Sequence, residues 1–198
     1  MSNTPTANGM LNKPAFGDAD WNTTCDANWD VIDAVITRAS ILINGDFRIN
    51  QRGYVSAATL ASGAYGHDSW KAGASGGDYS FTQLASPTTI TIASSKSLIQ
   101  VVEDKNVVGG SYTLAWAGTA TARVGVNSAT PSGNFAVSPI TVTGQSAATA
   151  MSVEFTGANA AGGSSLATNS GTLGTVKLEA GSVATPFVLD DYSASLLK

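Results

Sequence analysis

The chain has 198 residues, a formal net charge of −4 and only 12% charged residues, which allows one ordinary domain with an appendage. The weak acidic balance argues against nucleic-acid binding, because nucleic acids are bound by basic surfaces. The single cysteine, Cys25, excludes an intrachain disulfide and a cysteine-based zinc site. Residues 1–20 lack the basic start and apolar core of a signal peptide, and no apolar run approaches about 18 residues. We therefore expect synthesis in a reducing cytoplasm and no insertion into a membrane.

Residues 1–25 are polar and carry turn-forming residues, including Pro5, Pro14 and the pair Asn8-Gly9. Proline and glycine interrupt regular secondary structure, and the segment has no periodic apolar pattern. We predict that it forms an extended arm instead of a packed element.

A helix is predicted over residues 26–43, with Asp26 or Thr24 as its N-terminal cap. Apolar residues recur at alternating spacings of three and four, which is a heptad seam of about two repeats. The seam consists of Trp29, Ile32, Ile36, Ala39 and Ile43. Isoleucine at both seam positions favours a coiled coil of three helices, so one interpretation is a short trimeric bundle. The alternative is an amphipathic helix packed on its own domain.

After the turn signal Asn44-Gly45, residues 44–198 consist of short β-prone runs separated by Gly, Ser, Thr and Ala. The predicted strands are Phe47–Gln51, Tyr79–Leu84, Thr88–Ala93, Leu98–Val102, Ser111–Ala117, Ala122–Val126, Ile140–Val142, Met151–Phe155 and Thr175–Leu178. Many short strands with regular turns indicate a sandwich or barrel, and a count near eight favours an antiparallel jelly-roll β-sandwich. Trp70 and Trp116 are predicted to lie in its core.

The sequence offers little for catalysis. The single histidine, His67, would have to serve any Ser-His-Asp triad, and its neighbour Asp68 cannot orient it if both lie in a strand. No sequence feature brings two carboxylates together as glycan hydrolysis requires. Asp18 opens a calcium-loop pattern that fails at Thr23 and Trp29, where glycine and glutamate are needed. We therefore predict no enzymatic activity, no metal site and no cofactor.

Aromatic and polar residues crowd the segment from residue 52 to residue 71, which is a composition suited to sugar binding. The predicted glycan-binding residues are Arg52, Tyr54, Tyr65, His67 and Asp68, and the segment also contains Lys71. Rings stack on the apolar faces of sugars, and nearby polar groups bind the hydroxyls. The alternative is that these rings belong to the core.

Three motifs resemble a known module. Leu42-Ile-Asn-Gly-Asp-Phe-Arg-Ile-Asn-Gln-Arg-Gly53, Tyr65-Gly-His-Asp-Ser-Trp70 and Leu178-Glu-Ala-Gly-Ser-Val-Ala-Thr-Pro-Phe187 look like the opening strand, aromatic signature and closing strand of a jelly-roll module of bacteriophage tail fibres and related virion proteins. More loosely, Leu11–Trp21 with Asn28–Asp33 resembles the N-terminal attachment segments of phage fibres.

This resemblance implies a virion structural protein, made in the host cytoplasm and displayed on the virion surface. The first interpretation is a short tail fibre or spike whose N-terminus docks onto other virion proteins through Phe16, Trp21 and Trp29, and whose β domain contacts host surface polysaccharide. In this interpretation the protein is a homo-oligomer, expected to be a trimer. The alternative is a capsid cement, head-decoration or head-fibre protein that stabilises the particle and needs no ligand.

Overall fold

The computed structural model describes residues 40–84, 87–159 and 162–189, together with positions 4, 5, 12, 13, 23, 25, 27 and 28. The chain divides into two compact units, Met1–Arg38 and Ala39–Lys198. Within the described ranges, no helix has both the length and the apolar character needed to cross a bilayer.

In the first unit, the described residues form a short antiparallel pair and part of a helix. β1 (Thr4–Pro5) pairs with β2 (Asn12–Lys13). Helical conformation already includes Thr23 and Cys25, so the predicted helix start at Asp26 is wrong. Several polar residues near this point suit an N-terminal cap, and apolar periodicity cannot choose among them. The predicted anchors and most of the seam lie outside the described residues: Phe16, Trp21, Trp29, Ile32, Ile36 and Ala39.

The described part of the second unit is all-β, with one 3₁₀ turn at Asp104–Asn106. Its strands are β3 (Lys71–Ala72), β4 (Tyr79–Phe81), β5 (Ile90–Ile92), β6 (Ser97–Val102), β7 (Gly110–Ala117), β8 (Thr121–Gly125), β9 (Ile140–Gln145), β10 (Met151–Thr156) and β11 (Gly171–Ala180). They form two antiparallel sheets, in the orders β3-β6-β10-β8 and β4-β5-β11-β7-β9. Two such sheets around a shared core are compatible with a β-sandwich.

Eight of the predicted strands overlap strands of the structure, and one does not. Phe47–Gln51 is not a strand, because Phe47 has a positive φ of 52° and its N–H closes a turn on the carbonyl of Asn44 at 3.2 Å. β3, which was not predicted, has only two residues, too few to show an alternating pattern. β11 begins four residues earlier than predicted.

The core contains both tryptophans that were predicted to be buried. Trp70 is fully buried and Trp116 is 7% exposed. The ring of Phe155 lies between them, with centroid distances of 5.8 Å to Trp70 and 5.2 Å to Trp116. Each indole N–H donates to a backbone carbonyl at 2.9 Å, Trp70 to Asn44 and Trp116 to Ala120. These bonds satisfy the polar groups that burial would otherwise leave without a partner.

The segment from Ile41 to Gly45 closes the domain by pairing with β11. Ile41 N–H donates to the carbonyl of Leu178 at 2.9 Å, and Val176 N–H donates to the carbonyl of Gly45 at 2.7 Å. Residues 40–43 are therefore not helical, which corrects the predicted helix end at Ile43. Ile43 instead binds the side chain of Gln100 through both its N–H and its carbonyl, at 2.7 and 2.9 Å. The side-chain amide of Gln100 therefore makes the two backbone hydrogen bonds that a neighbouring strand would otherwise make.

The chain beyond β11 folds back over the outer face of its own sheet. Glu179, which is fully buried, accepts bonds from the N–H of Thr185 at 2.7 Å and from its hydroxyl at 2.6 Å. The ammonium of Lys177 lies 3.2 Å from the Glu179 carboxylate and also donates to the Thr185 hydroxyl and the Pro186 carbonyl. Within the closing motif, Glu179 therefore binds Thr185, and its charge is paired inside the fold with Lys177, the residue before the motif.

Candidate functional site

An open groove of about 620 Å³ is lined by residues of β3 and β6, of segment 41–43 and of the turns near residues 52, 65 and 103. Its floor consists of four half-buried aliphatic side chains: Ile41, Ile43, Ile99 and Val101. Arg52, Tyr65, Ser69 and Lys71 line one end, and Glu103, Asn106 and Ala129 also line the groove. The groove combines an apolar floor with charged and hydrogen-bonding groups, as ligand sites commonly do.

Strand register places three side chains of the groove in one row across the sheet. Tyr65 forms a β-bridge with Lys71, and Lys71 pairs with Ile99 of β6. Residues directly opposite each other in antiparallel strands point to the same face. Two strand spacings separate Tyr65 from Ile99, so the row is about 10 Å long.

Alternation along β6 builds the floor. Leu98, Gln100 and Val102 are buried, whereas Ile99 and Val101 between them are half-buried and face outward. Glu103 follows in an extended conformation and continues the outward series. The groove therefore runs along β6 for about 13 Å from Ile99 to Glu103, at roughly 3.3 Å per residue.

Arg52 and Tyr65 form the exposed corner of the groove. The Arg52 guanidinium lies 5.1 Å from the centroid of the Tyr65 ring, which is a cation–π contact. Tyr65 is 45% exposed, so part of its side chain is accessible to a ligand. Arg52 Nε lies 3.8 Å from an oxygen of Asp68, which is beyond hydrogen-bond distance.

Asp68 supports the groove instead of lining it. One carboxylate oxygen accepts the N–H of Gln51 at 2.8 Å, and its backbone N–H donates to Ile49 at 3.2 Å. The side-chain amide of Asn44 donates to the carbonyl of Asp68 at 3.1 Å. These bonds hold the turn that carries Arg52. Asp68 was predicted to bind glycan, but its carboxylate is already engaged with the backbone.

His67 is fully buried, so the structure separates it from the groove. Its Nε2 lies 3.0 Å from Gln83 Oε1 and its Nδ1 lies 2.7 Å from the Tyr79 hydroxyl. Because Gln83 Nε2 donates to the carbonyl of Phe47 at 3.2 Å, Oε1 is the acceptor, and the Nε2–H of His67 donates to it. Burial lowers the pKa of His67, with the Gln83 bond and Asp68 opposing that shift.

Tyr54 also lies away from the groove. Its half-buried ring packs against Tyr79 at a centroid distance of 4.6 Å and against Phe81 at 6.1 Å. Its hydroxyl donates to the carbonyl of Ala58 at 2.6 Å, and burial raises its pKa. Of the five residues predicted to bind glycan, Arg52 and Tyr65 line the groove, Asp68 positions the turn beside it, and His67 and Tyr54 are packing residues.

Most of the groove was not predicted. Lys71 was noted as a neighbour, but Ile99, Val101, Glu103 and Asn106 were not assigned to a site. A signal was present in β6, where both outward positions are aliphatic although an outer sheet face is usually polar. Its meaning depends on which strands flank β6, and the sequence does not state that.

A second depression of about 410 Å³ lies over β4 and β5. Its lining residues are Ser80, Phe81, Thr82, Leu84, Pro87, Thr89 and Thr91, none of them charged. Among the described residues, no group of three or more His, Cys, Asp or Glu side chains could hold a metal ion. The groove with Arg52, Tyr65 and Lys71 is therefore the better candidate for a binding site.

No protein-family model matches the sequence, and no curated protein matches it. Function is therefore inferred from the geometry of the groove together with the sequence motifs.

Proposed function

We propose that the protein is a bacteriophage virion structural protein whose N-terminal residues attach to the particle and whose β domain presents the groove to host surface polysaccharide. The observation that carries this proposal is the row of Tyr65, Lys71 and Ile99 on one face of a sheet. A half-exposed ring, a cation and an aliphatic floor match a ligand that has apolar ring faces and polar edges, as sugars do.

The sheet topology supports a jelly roll for the β domain. From β5 to β11 the chain alternates between the two sheets at successive strands, except that β8 is followed by the bridge of Ala136 to Ala122 in its own sheet. The strands that open and close this series are neighbours, β5 beside β11 and β6 beside β10. Two Greek keys wound together have this order. The opening and closing motifs, which resemble phage proteins, overlap segment 41–45 and β11, and these two segments pair with each other.

The carboxylates favour binding over cleavage. Glycan hydrolysis uses two carboxyl groups on either side of the scissile bond. Glu103 is the single carboxylate among the described residues that line the groove. Glu154, which is nearly buried on the same sheet, binds Arg123 at 2.6 Å and Ser97 at 2.7 Å. These two carboxylates therefore do not form a pair that could act on a bound sugar.

A shallow groove of this kind binds weakly in a single copy. Linking copies through the N-terminal helix, as a trimer in the sequence-based interpretation, raises overall affinity by about 10²–10⁴ when the geometry allows simultaneous contact. The proposed arrangement therefore joins a virion-attached N-terminus, an oligomer and several weak sugar sites.

Binding of the full chain to host-cell envelopes tests this proposal. We expect Tyr65→Ala to reduce binding about tenfold, because the accessible ring is lost. Tyr65→Phe keeps the ring and is the matched control, with near-normal binding expected. Absence of envelope binding by the unaltered protein, or full binding by Tyr65→Ala, would overturn the glycan-binding proposal.

Virus particles that lack the protein distinguish the alternative role, capsid cement or head decoration. Particles that lack the protein would then lose integrity on heating or at low salt, and the protein would be present in the stoichiometry of the capsid. That result together with no envelope binding would assign the β domain a purely structural role.

A further inference from the structure

We propose that the groove selects an acidic oligosaccharide, with a sugar carboxylate seated between the Arg52 guanidinium and the Lys71 ammonium and a neutral sugar beside Glu103 and Asn106. This inference rests on the proposed polysaccharide-binding function and specifies the chemical class of the sugar. It follows from the charges at the two ends of the groove, which differ in sign.

Two cations flank the same aromatic ring. Arg52 lies over the Tyr65 ring at 5.1 Å, and Lys71 is the bridge partner of Tyr65 in the neighbouring strand. Directly opposed residues of antiparallel strands have Cβ atoms about 5 Å apart. An anion placed on this corner therefore meets a planar guanidinium and an ammonium at once, and such charge-assisted bonds are about twice as strong as neutral ones.

The positive charge at this corner is poorly compensated. Among the described residues, the Lys71 ammonium has no ion-pair or hydrogen-bond partner, and besides the Tyr65 ring the Arg52 guanidinium has only the distant contact with Asp68 at 3.8 Å. Most other cations in the described ranges pair with a carboxylate: Arg48 with Asp46, Lys96 with Asp78, Arg123 with Glu154 and Lys177 with Glu179. The guanidinium and ammonium of the groove thus retain donors for a ligand.

The end of the groove formed by Glu103 and Asn106 favours a neutral sugar over an anionic one. Glu103 and Asn106 are exposed, and the Glu103 carboxylate can accept hydrogen bonds from sugar hydroxyl groups but repels a second anion. Between the two ends, Ile99 and Val101 offer an apolar surface for ring faces. The fitting ligand therefore has its acidic groups separated by neutral sugars. The net charge of −4 further disfavours densely charged polyanions.

The test measures binding of the full chain to hyaluronate and to uronic-acid-containing bacterial capsular polysaccharides, each in native and carboxyl-reduced form. Dextran and inorganic polyphosphate are the neutral and the densely charged references. We expect at least one native polymer to bind about tenfold tighter than its carboxyl-reduced form, and this preference to weaken with added salt. Lys71→Gln should abolish the preference while the fold, checked by thermal unfolding, is unchanged.

Lys105→Gln is the matched control, because it removes the same charge from an exposed lysine that does not line the groove. It should leave the preference intact. Equal binding of native and carboxyl-reduced forms would overturn the inference and leave the proposed function standing. Polyphosphate binding as tight as the acidic polysaccharides, or an equal effect of both lysine variants, would also overturn it. If no polysaccharide of either form binds and host envelopes are not bound, both the inference and the proposed function are wrong.

Discussion

Asn44 and Glu179, polar residues of the two end motifs, bind the protein's own backbone. Asn44 accepts the N–H of Ile49 at 3.0 Å and donates to the carbonyls of Ile49 and Asp68 at 2.8 and 3.1 Å. Glu179 binds Thr185 and Lys177. Each buried polar group thereby has partners, as buried groups require. Both residues therefore stabilise the domain, whereas Arg52 of the opening motif and Tyr65 of the aromatic motif line the candidate site.

The buried carboxylate of Glu179 leads to a stability prediction. Glu179→Ala leaves the Lys177 ammonium buried without its carboxylate and frees Thr185, so we expect a loss of about 3–5 kcal/mol in the free energy of unfolding. Thr185→Ser retains the hydroxyl and the N–H that Glu179 accepts and should cost much less. Chemical denaturation measures both. Equal stability of Glu179→Ala and the unaltered protein would contradict this role of the ion pair.

The buried His67 predicts a pH dependence of stability. Its pKa in the folded state is lower than the ordinary 6.5, so the unfolded chain takes up a proton first as the pH falls. The free energy of unfolding should therefore decrease as the pH falls from 6.5 towards the pKa of His67 in the folded state. His67 contributes at most about 1.4 kcal/mol per pH unit to this decrease. Above pH 6.5, the titration of His67 should not change the free energy of unfolding.

His67→Gln removes this titration, and His67 is the single histidine of the chain. Between about pH 6.5 and 5, the stability of the variant should depend less on pH than that of the unaltered protein. Urea denaturation at several pH values measures the difference. Parallel curves for the two proteins in this range would contradict the prediction.

At the scale of the element, the irregular segment 41–45 matters as much as a strand. It binds β11 through Ile41 and Gly45, and its turn brings the Asn44 carbonyl to Trp70. Gly45 lies so close to β11 that an added Cβ would be 2.1 Å from the carbonyl oxygen of Val176. Glycine is therefore required here by the close approach of two backbones.

Gly45→Ala should separate segment 41–45 from β11 and lower the free energy of unfolding by about 1–3 kcal/mol. Gly163→Ala is the matched control, because an added Cβ there meets nothing within 4 Å. Its stability should stay within about 0.5 kcal/mol of the unaltered protein. Thermal or chemical unfolding measures both variants, and equal stability of the two would show that the close contact at Gly45 is not important.

At the scale of the whole molecule, the two compact units predict independent folding of the second. Every residue of the described core, including those packed at its edge, lies between Ile41 and Ala180. A chain of residues 39–198 should therefore retain its β circular dichroism spectrum and a cooperative thermal transition. It should fail to join virions if residues 1–38 form the attachment segment. An unfolded or aggregated product would contradict independent folding.

Several features of the β domain were readable from local pattern. Alternation in Tyr112, Leu114 and Trp116 indicated β7, and Met151, Val153 and Phe155 indicated β10. Both depend on neighbours two residues apart, which is the period of a strand. Burial of Trp70 and Trp116 was also predicted. The failure at Phe47–Gln51 has a local cause too, because the Asn44 side chain offers the backbone an alternative to strand pairing.

The amino-acid order alone was sufficient for an all-β domain, because strand periodicity and turn chemistry act over a few residues. The groove required the fold, since Ile99 is distant in sequence from Tyr65 and Lys71 and meets them only through the register of strands. The burial of His67 likewise depends on Tyr79 and Gln83, which come from another part of the chain. Which side chains are open to a ligand is a property of long-range packing, and no local pattern encodes it.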